Sequence, residues 1–489
     1  MKLKKLLKDL PEIQVKGAKE VEITGVCANS HCVAPGNLFI AKKGLIHDGA
    51  QFIADAISAG ASAVLTDMYD PSLKVAQLIC PDIIAMEALL AARFYDSPSD
   101  RLFTVAVTGT NGKTTTTYLI KHMLERHGDP CGLIGTIEYI IGPHRHEADR
   151  TTPDLCTNQK MLAEMVKHGC TAAAMEVTSH GLIQGRINQI HFDVLVFTNL
   201  TQDHLDYHVS MAEYAKAKSL LFHQQHKPHT RAVVNKDDPW FAHVVEGTQY
   251  PLLTFGIDQP ADVRAISIEL NTQGTEFTAL YQGESVRFCT PLTGRHNVYN
   301  SLAVIGVGLA RGMSLAELVP VLATFPAVPG RLQRVPNALN LNIYVDYAHK
   351  PDAMVNVLKT LREATKGRLI IVFGAGGDRD RTKRPLMGAA ADTYADLAII
   401  TSDNPRTEDP MKICEQICAG FRNPAQPQII VNRREAMSKA IRMATQDDIV
   451  LIAGRGHEPR QIFAHHTIDF NDVEVTQQIC DELVGIVKS

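Results

Sequence analysis

The sequence is short of charge of one sign, of long apolar runs and of cysteine. Its 489 residues carry 49 Lys+Arg against 53 Asp+Glu, a formal net charge of -4, and the pI is near 6.6. That balance gives no broad basic face for coating nucleic acid, although a small basic pocket for an anionic ligand is compatible with it. No run approaches the ~18 apolar residues of a membrane span, so no membrane insertion is expected. The opening Met1-Lys2-Leu3-Lys4-Lys5-Leu6-Leu7-Lys8 lacks the apolar core and cleavage site of a secretory signal. Ten cysteines are too sparse for a disulfide framework and are expected to be reduced thiols. Internal repeats and low-complexity segments are lacking as well. These absences predict a cytoplasmic protein whose partners are small molecules; a monomer is expected, although nothing in the composition sets the oligomeric state.

What is present is enough apolar material, 45% of residues, for about three domains with their own cores. Turn-rich breaks at Asp96-Ser97-Pro98-Ser99-Asp100 and Pro326-Ala327-Val328-Pro329-Gly330 follow helical stretches and divide the chain into 1–99, 100–328 and 329–489. Apolar runs at 193–197, 369–373, 397–401 and 449–453 alternate with helix-length amphipathic stretches. That alternation predicts an α/β fold with parallel sheets covered by helices. In such sheets ligands gather in the loops at the carboxyl ends of strands.

The strongest local signal is Thr108-Gly109-Thr110-Asn111-Gly112-Lys113-Thr114, between a strand expected over 102–107 and a helix expected over 115–126. Glycines let backbone N–H groups converge on phosphate oxygens, and the helix N-terminus adds a favourable dipole. Lys113 neutralises charge and the Thr114 hydroxyl can ligate Mg2+. The general P-loop pattern would place its first glycine at 107, where this chain has Val107; the glycine comes two residues later. After a strand expected over 171–175 comes Glu176-Val177-Thr178-Ser179-His180-Gly181, and after the strand ending at 197 comes Asp203-His204-Leu205-Asp206-Tyr207-His208. Hard Mg2+ prefers oxygen ligands, which makes Glu176 the natural carboxylate for it, with His204 at a second metal position. Ser179-His180 could also be a nucleophile and base, but no Gly-x-Ser-x-Gly elbow surrounds the serine. His223, His226 and His229 are expected in a solvated loop broken by Pro228, and Cys414 and Cys418 in buried helix packing.

Thr-Gly-Thr-Asn-Gly-Lys-Thr resembles the ATP loop of the Mur ligases and folylpolyglutamate synthetases, ATP-dependent amide-forming enzymes, and the shortened glycine spacing is typical of them. The resemblance implies an α/β, three-domain Mur ligase architecture: an N-terminal UDP-binding domain, a central P-loop ATPase domain and a Rossmann-like C-terminal domain. ATP contacts would come from Gly109, Thr110, Asn111, Gly112, Lys113, Thr114 and Thr115. They would be joined by Asn297 and Asn300 in Leu292-Thr293-Gly294-Arg295-His296-Asn297-Val298-Tyr299-Asn300, and by Arg331 and the Asp346-Tyr347-Ala348-His349-Lys350-Pro351-Asp352 segment. Asp346 and His349 would organise nucleotide. The stretch through Tyr214-Ala215-Lys216-Ala217-Lys218 is similar to the region in which these enzymes carbamylate a lysine, here Lys218. A carbamate is an anionic oxygen ligand, so Thr114, Glu176, His204 and Lys218 form the implied metal set, and Lys113, Lys218, His204 and His349 the implied catalytic set.

The resemblance extends to substrate selection. Ala28-Asn29-Ser30-His31 resembles a uridine-contact segment that normally reads Asp-Ser-Arg at 29–31; Ser30 is kept, whereas Asn29 and His31 depart. Ala28, Ser30, Leu45, Ile46, His47, Thr151, Thr152, Thr178, Gln184 and Arg186 match positions that hold a UDP-muramoyl-dipeptide. Arg379, Asp403-Asn404-Pro405-Arg406, Gly454 and Glu458 resemble an amino-acid pocket associated with meso-diaminopimelate. That substrate is a lysine bearing one more carboxylate, which a planar guanidinium at Arg406 can hold through two charge-assisted hydrogen bonds, with Arg379 assisting and Glu458 taking an ammonium. Lysine would leave Arg406 unpaired, at a cost of a few kcal/mol. The implied activity adds meso-diaminopimelate to UDP-N-acetylmuramoyl-L-alanyl-D-glutamate in peptidoglycan precursor synthesis. The alternatives are a lysine-adding relative, a folylpolyglutamate synthetase, or a P-loop ATPase acting on a macromolecule.

Overall fold

The computed structural model describes residues 1–10, 13–44, 48–271 and 274–488. By compactness the chain divides into two units, Met1–Val263 with Ala303–Ser314, and Arg264–Leu302 with Leu315–Ser489.

The first unit contains two sheets. The smaller has strand order Gln14–Lys16, Ala76–Ile79, Ala63–Thr66, Asn37–Ile40, Gly25–Cys27, with only the first antiparallel. Asn37–Ile40 and Ala63–Thr66 are buried at every position, because Leu38, Ile40 and Leu65 face one core while Phe39 and Val64 face another. The helix Ile83–Phe94 covers the first of these cores and begins three residues before the Met86 expected from sequence. Asp82 caps it, accepting from Ala85 N at 2.9 Å.

In the larger sheet the order is Leu252–Gly256, Arg231–Asn235, Val194–Phe197, Phe103–Thr108, Ala172–Glu176, Cys131–Ile134, all parallel, followed by the antiparallel Glu138–Ile141 and His144–Glu147. The register sets Glu176 beside Val107 and Phe197 beside Thr108. Three strands therefore end level, and the loops that follow them, at 109–112, 177–178 and 198–204, meet at one edge. The helix after the phosphate loop runs Lys113–His127, two residues earlier than expected, because Gly112 at φ +85° turns the chain directly into it.

The second unit has three antiparallel strands, the first entering it from Val263 (Val263–Asn271), then Gly274–Tyr281 and Glu284–Thr290, with the helix Leu315–Ala323 packed on the last. It also has a six-stranded sheet in the order Gln333–Arg334, Asn342–Asp346, Ile449–Ala453, Leu369–Phe373, Leu397–Ile400, Gln428–Ile429, parallel except at its first strand. Helices Pro351–Ala364, Lys383–Tyr394 and Pro410–Cys418 bury one face, and Arg433–Met443 and Asp472–Lys488 the other. Burial on both faces explains why strands such as Leu369–Phe373 read as unbroken apolar runs. This is the Rossmann-like, doubly wound arrangement expected of the last third of the chain. Cys414 and Cys418 pack in its core, as expected.

Among the described residues no helix is long and apolar enough to cross a membrane.

Candidate active site

The phosphate loop is laced to its neighbour by hydrogen bonds. Thr110 N donates to Asn199 O at 2.8 Å, Asn111 N to Asn199 Oδ1 at 2.9 Å, and Thr198 Oγ1 to Asn111 O at 2.7 Å. Gly109 allows this approach: at φ +148°, a Cβ there would lie 1.9 Å from Thr198 Oγ1. Lys113 curls over the loop, its Nζ donating to Gly109 O and Thr110 O, both at 2.9 Å. Thr115 is half-buried on the helix's first turn.

Beside the loop, Glu176 is fully buried. Its carboxylate accepts from Thr114 Oγ1 at 3.1 Å, Thr136 N at 2.9 Å and Thr136 Oγ1 at 3.0 Å, all neutral donors. A buried carboxylate bonded by these neutral donors, next to a threonine hydroxyl, is an oxygen donor set suited to a hard divalent cation.

Lys218 is buried too, at 1% exposure on the helix Met211–His223, with Nζ 2.8 Å from Gly109 O and 4.6 Å above the Tyr214 ring. Burial first, and then the charge of Lys113, push its pKa well below the usual lysine range, and Asp203 opposes them. A side chain so placed favours the neutral amine.

His204 sits in the left-handed region at φ +53° with its ring beside Asp203 at 3.6 Å and 5.1 Å from the His180 ring. Sequence reasoning missed two neighbours. His208, nearly buried, pairs its Nε2 with Ser179 Oγ at 2.9 Å and stacks on Tyr214 at 4.7 Å, and Tyr214 Oη is 3.3 Å from Thr110 Oγ1. The nucleophile alternative loses its basis here, since Ser179 is buried and its hydrogen bond goes to His208, not His180. His226 also differs from expectation. It is buried, not solvated, receiving a hydrogen bond from Phe192 N and bonding Leu221 O, because its ring packs against Phe192 and Tyr250.

Next to Glu176 the structure gathers five residues expected to hold the dipeptide. Thr152 Oγ1 bonds Glu176 O at 2.9 Å and lies 3.1 Å from Thr178 Oγ1, while Thr151 Oγ1 is 3.1 Å from Thr136 Oγ1. Arg186 donates to Thr152 O at 2.6 Å and, through Nε and Nη2, to Gln184 Oε1. Ala28 and Ser30 lie at the end of the small sheet, where Asn29 caps a short turn by accepting from His31 N at 3.1 Å. Leu45, Ile46 and His47 lie outside the described residues. Among the described residues, three acid, histidine or cysteine ligand atoms converge at Glu87, Asp154 and Cys156, but Lys42 Nζ occupies that place, 2.7 Å from both Glu87 oxygens.

The second unit carries the remaining residues, several of them in the loops at the carboxyl ends of its parallel strands. Asp346 accepts from Leu332 N and Ala348 N at 2.7 and 2.8 Å; burial raises its pKa and Arg331 opposes the rise. His349 is held through Nδ1 by Tyr347 O at 2.8 Å, and burial lowers its pKa. Asn297 and Asn300 are buried at the start of the helix Arg295–Arg311, with Asn300 Nδ2 donating to Asn297 Oδ1 at 2.9 Å. In the expected amino-acid pocket, Arg406 Nη1 donates to Gly377 O at 2.8 Å, and Asn404 Nδ2 to Glu458 Oε2 at 2.7 Å. Gly454 keeps clear of Asp403, whose Oδ2 would be 2.6 Å from a Cβ at that position. Arg379 is exposed at the pocket's margin. Burial, and then Asp403, raise the Glu458 pKa, opposed by the hydrogen bond from Asn404 and by Arg455, whose Nε lies 3.9 Å from Glu458 Oε2.

Three family models match successive stretches of the chain: the Mur ligase family catalytic domain over 22–95, the Mur ligase middle domain over 107–308, and the Mur ligase glutamate ligase domain over 330–456. A UDP-N-acetylmuramoyl-L-alanyl-D-glutamate--2,6-diaminopimelate ligase of Chlamydia felis is 44% identical over 491 residues, covering 99% of this chain and 100% of that one. The chain belongs to the Mur ligase family. This Mur ligase is also 44% identical to the protein of the same name in Chlamydia muridarum, over 99% of its own length and 100% of the relative's. In three dimensions it is similar to a solved UDP-N-acetylmuramoyl-L-alanyl-D-glutamate--2,6-diaminopimelate ligase, at TM-score 0.73 and 32% identity, covering 99% of each chain.

Proposed function

We propose that this Mur ligase couples ATP cleavage to amide formation between UDP-N-acetylmuramoyl-L-alanyl-D-glutamate and meso-diaminopimelate, as a cytoplasmic monomer in peptidoglycan precursor synthesis. The observation that carries the choice of amino acid is the pocket in which Arg406 is anchored on Gly377 O while Asn404 holds Glu458. A guanidinium and a carboxylate in one pocket match a side chain ending in both a carboxylate and an ammonium. Lysine offers only the second. Domains divided near 99 and 328 assign, in order, uridine, ATP and amino acid.

The γ-phosphoryl group of ATP passes to the D-glutamyl γ-carboxylate, giving an acyl phosphate. The diaminopimelate amine attacks its carbonyl carbon, and the tetrahedral intermediate collapses with loss of phosphate. The protein's contribution is positioning and charge. Lys113, now bonded to its own loop, turns to phosphate oxygens, and the backbone of 109–114 cradles them. Thr151, Thr152, Thr178, Gln184 and Arg186 hold the dipeptide. Asp346, Arg331 and His349 orient nucleotide, with Asn297 and Asn300 on the adenine side. Thr114, Glu176, His204 and Lys218 would hold Mg2+, which when bound offsets charge on the transferring group.

Lys218 fits this set as a carbamate. Its amine is buried, biased towards the neutral form and next to Lys113. Attack of that neutral amine on CO2 forms the N–C bond and releases one proton, leaving a carbamate anion near Lys113 in place of the amine, and the nitrogen keeps one hydrogen for Gly109 O. The test of the function is ADP release, expected only when UDP-muramoyl-dipeptide and meso-diaminopimelate are present together; equal turnover with lysine would overturn the amino-acid assignment.

A further inference from the structure

Arg384 belongs to no part of the reaction described above, yet its guanidinium is fully buried at the base of the amino-acid pocket. It lies on the helix Lys383–Tyr394, below two loops that follow neighbouring strands. Nη2 donates to Gly376 O at 3.1 Å in the first loop and to Glu408 Oε1 at 2.9 Å in the second; Nη1 donates to Glu408 Oε2 at 3.0 Å and to Gln416 Oε1 at 2.6 Å. Glu408 Oε1 also accepts from Asp378 N at 2.7 Å. The pair thus holds Gly376 and Asp378, the residues on either side of Gly377. The carbonyl of Gly377 is the acceptor to which Arg406 Nη1 is anchored, at 2.8 Å.

The two loops fit too closely to shift independently. Gly377 N donates to Asn404 O at 2.9 Å, a Cβ on Gly377 would come within 1.9 Å of Pro405 O, and Thr407 Oγ1 donates to Asp378 Oδ1 at 2.7 Å. Asp378 and Arg406 both sit in the left-handed region, at φ +54° and +51°, a conformation that needs outside restraint in residues with a Cβ. A buried ion pair adds little stability over packed apolar groups of the same volume, but the planar fork of an arginine imposes one geometry on what it binds. Arg384 and its neighbour Arg381, 3.2 Å from Glu408 Oε2, hold the Glu408 carboxyl well below the usual carboxylate range, so Glu408 stays a carboxylate at any physiological pH.

We infer that the Arg384–Glu408 pair is the positioning element that sets Arg406, and through it the preference for an amino acid with a distal carboxylate over lysine. The inference rests on the diaminopimelate reading of this pocket. Neither residue touches substrate; they act through the Gly377 carbonyl.

The test is steady-state kinetics on the full-length enzyme, wild type and Glu408→Gln, with meso-diaminopimelate and with lysine. Gln keeps the size and one acceptor oxygen but loses the charge that holds the fork. Losing one charge-assisted hydrogen bond's worth of placement predicts that KM for diaminopimelate rises about tenfold and that the preference over lysine falls in the same proportion. KM for ATP and for UDP-muramoyl-dipeptide should stay within about twofold. Thr407→Val, at the exposed margin, removes only the bond to Asp378 and should move the same ratio about threefold. That variant decides the matter if Glu408→Gln does not fold. A merely structural pair would lower the yield of active enzyme or its Tm while leaving KM for diaminopimelate and the lysine ratio unchanged in both variants, and that result overturns the inference. Absence of diaminopimelate turnover in the wild type would instead overturn the reading it rests on.

Discussion

Lys218 offers the sharpest test of the phosphate-loop chemistry, through Lys218→Met. Methionine keeps the unbranched apolar stem and nearly the same volume, so a core exchange of this kind costs less than about 1.5 kcal/mol. The hydrogen bond lost is Nζ to Gly109 O at 2.8 Å, but that carbonyl still accepts from Lys113 Nζ at 2.9 Å and is not orphaned. Removal of an amine that burial and Lys113 disfavour as a cation offsets part of the cost. The thermal midpoint should therefore stay within about 3 °C of wild type. Activity should not. A carbamate that neutralises and orients charge at the phosphoryl group is worth about as much as one preorganised electrostatic contact elsewhere, roughly a hundredfold to a thousandfold in kcat. ADP release with all three substrates measures the loss. Lys218→Ala, which leaves a gap the size of the stem, should lose as much and recover part of its activity with formate or acetate filling the space. A folded Lys218→Met enzyme with wild-type kcat would refute the carbamate role.

Gly109→Ala would drive a Cβ to within 1.9 Å of Thr198 Oγ1 in a backbone conformation L-residues avoid; at about 1–3 kcal/mol of displacement, the KM for ATP should rise tenfold or more while unrelated parts of the fold keep their stability. Asp472→Ala strands Arg433, bonded to that carboxylate at 2.6 and 2.8 Å with both side chains fully buried, and should cost about 3–5 kcal/mol, visible as a drop of roughly 6 °C or more in the melting of the second unit. Burial pulls His226, His296 and His457 down to about 4, below the ordinary 6.5. The unfolded chain therefore takes up these protons first, so the stability they contribute is complete above pH 6.5 and is lost as the pH falls from 6.5 towards 4. Tm measured across that window should fall, and His226→Gln should flatten the slope.

Much of the site was legible in the sequence because its residues are local. A strand, two glycines and Lys113-Thr114 need only chain continuity to form a phosphate loop, and Glu176 is the last residue of its strand. The parallel strands were equally plain, since burial on both faces writes runs such as Leu369 to Phe373. What could not be read is what depends on pairing across the sequence. Tyr214 and His208 matter through Thr110 and Ser179, and Thr136 through Glu176, 40 residues away. Arg384 reads as one more helix cation until the fold buries it against Glu408. His226 was expected in solvent because Pro228 breaks the helix, but packing against Phe192 and Tyr250 buries the ring. The local rule held and the tertiary packing decided the outcome.

The most direct measurement identifies the product. Purified enzyme given ATP, UDP-N-acetylmuramoyl-L-alanyl-D-glutamate and an equimolar mixture of meso-diaminopimelate and lysine should yield, by liquid chromatography and mass spectrometry, the diaminopimelate-extended UDP-tripeptide and ADP. A predominantly lysine-extended product, or ADP formed with no extended nucleotide, would contradict the account.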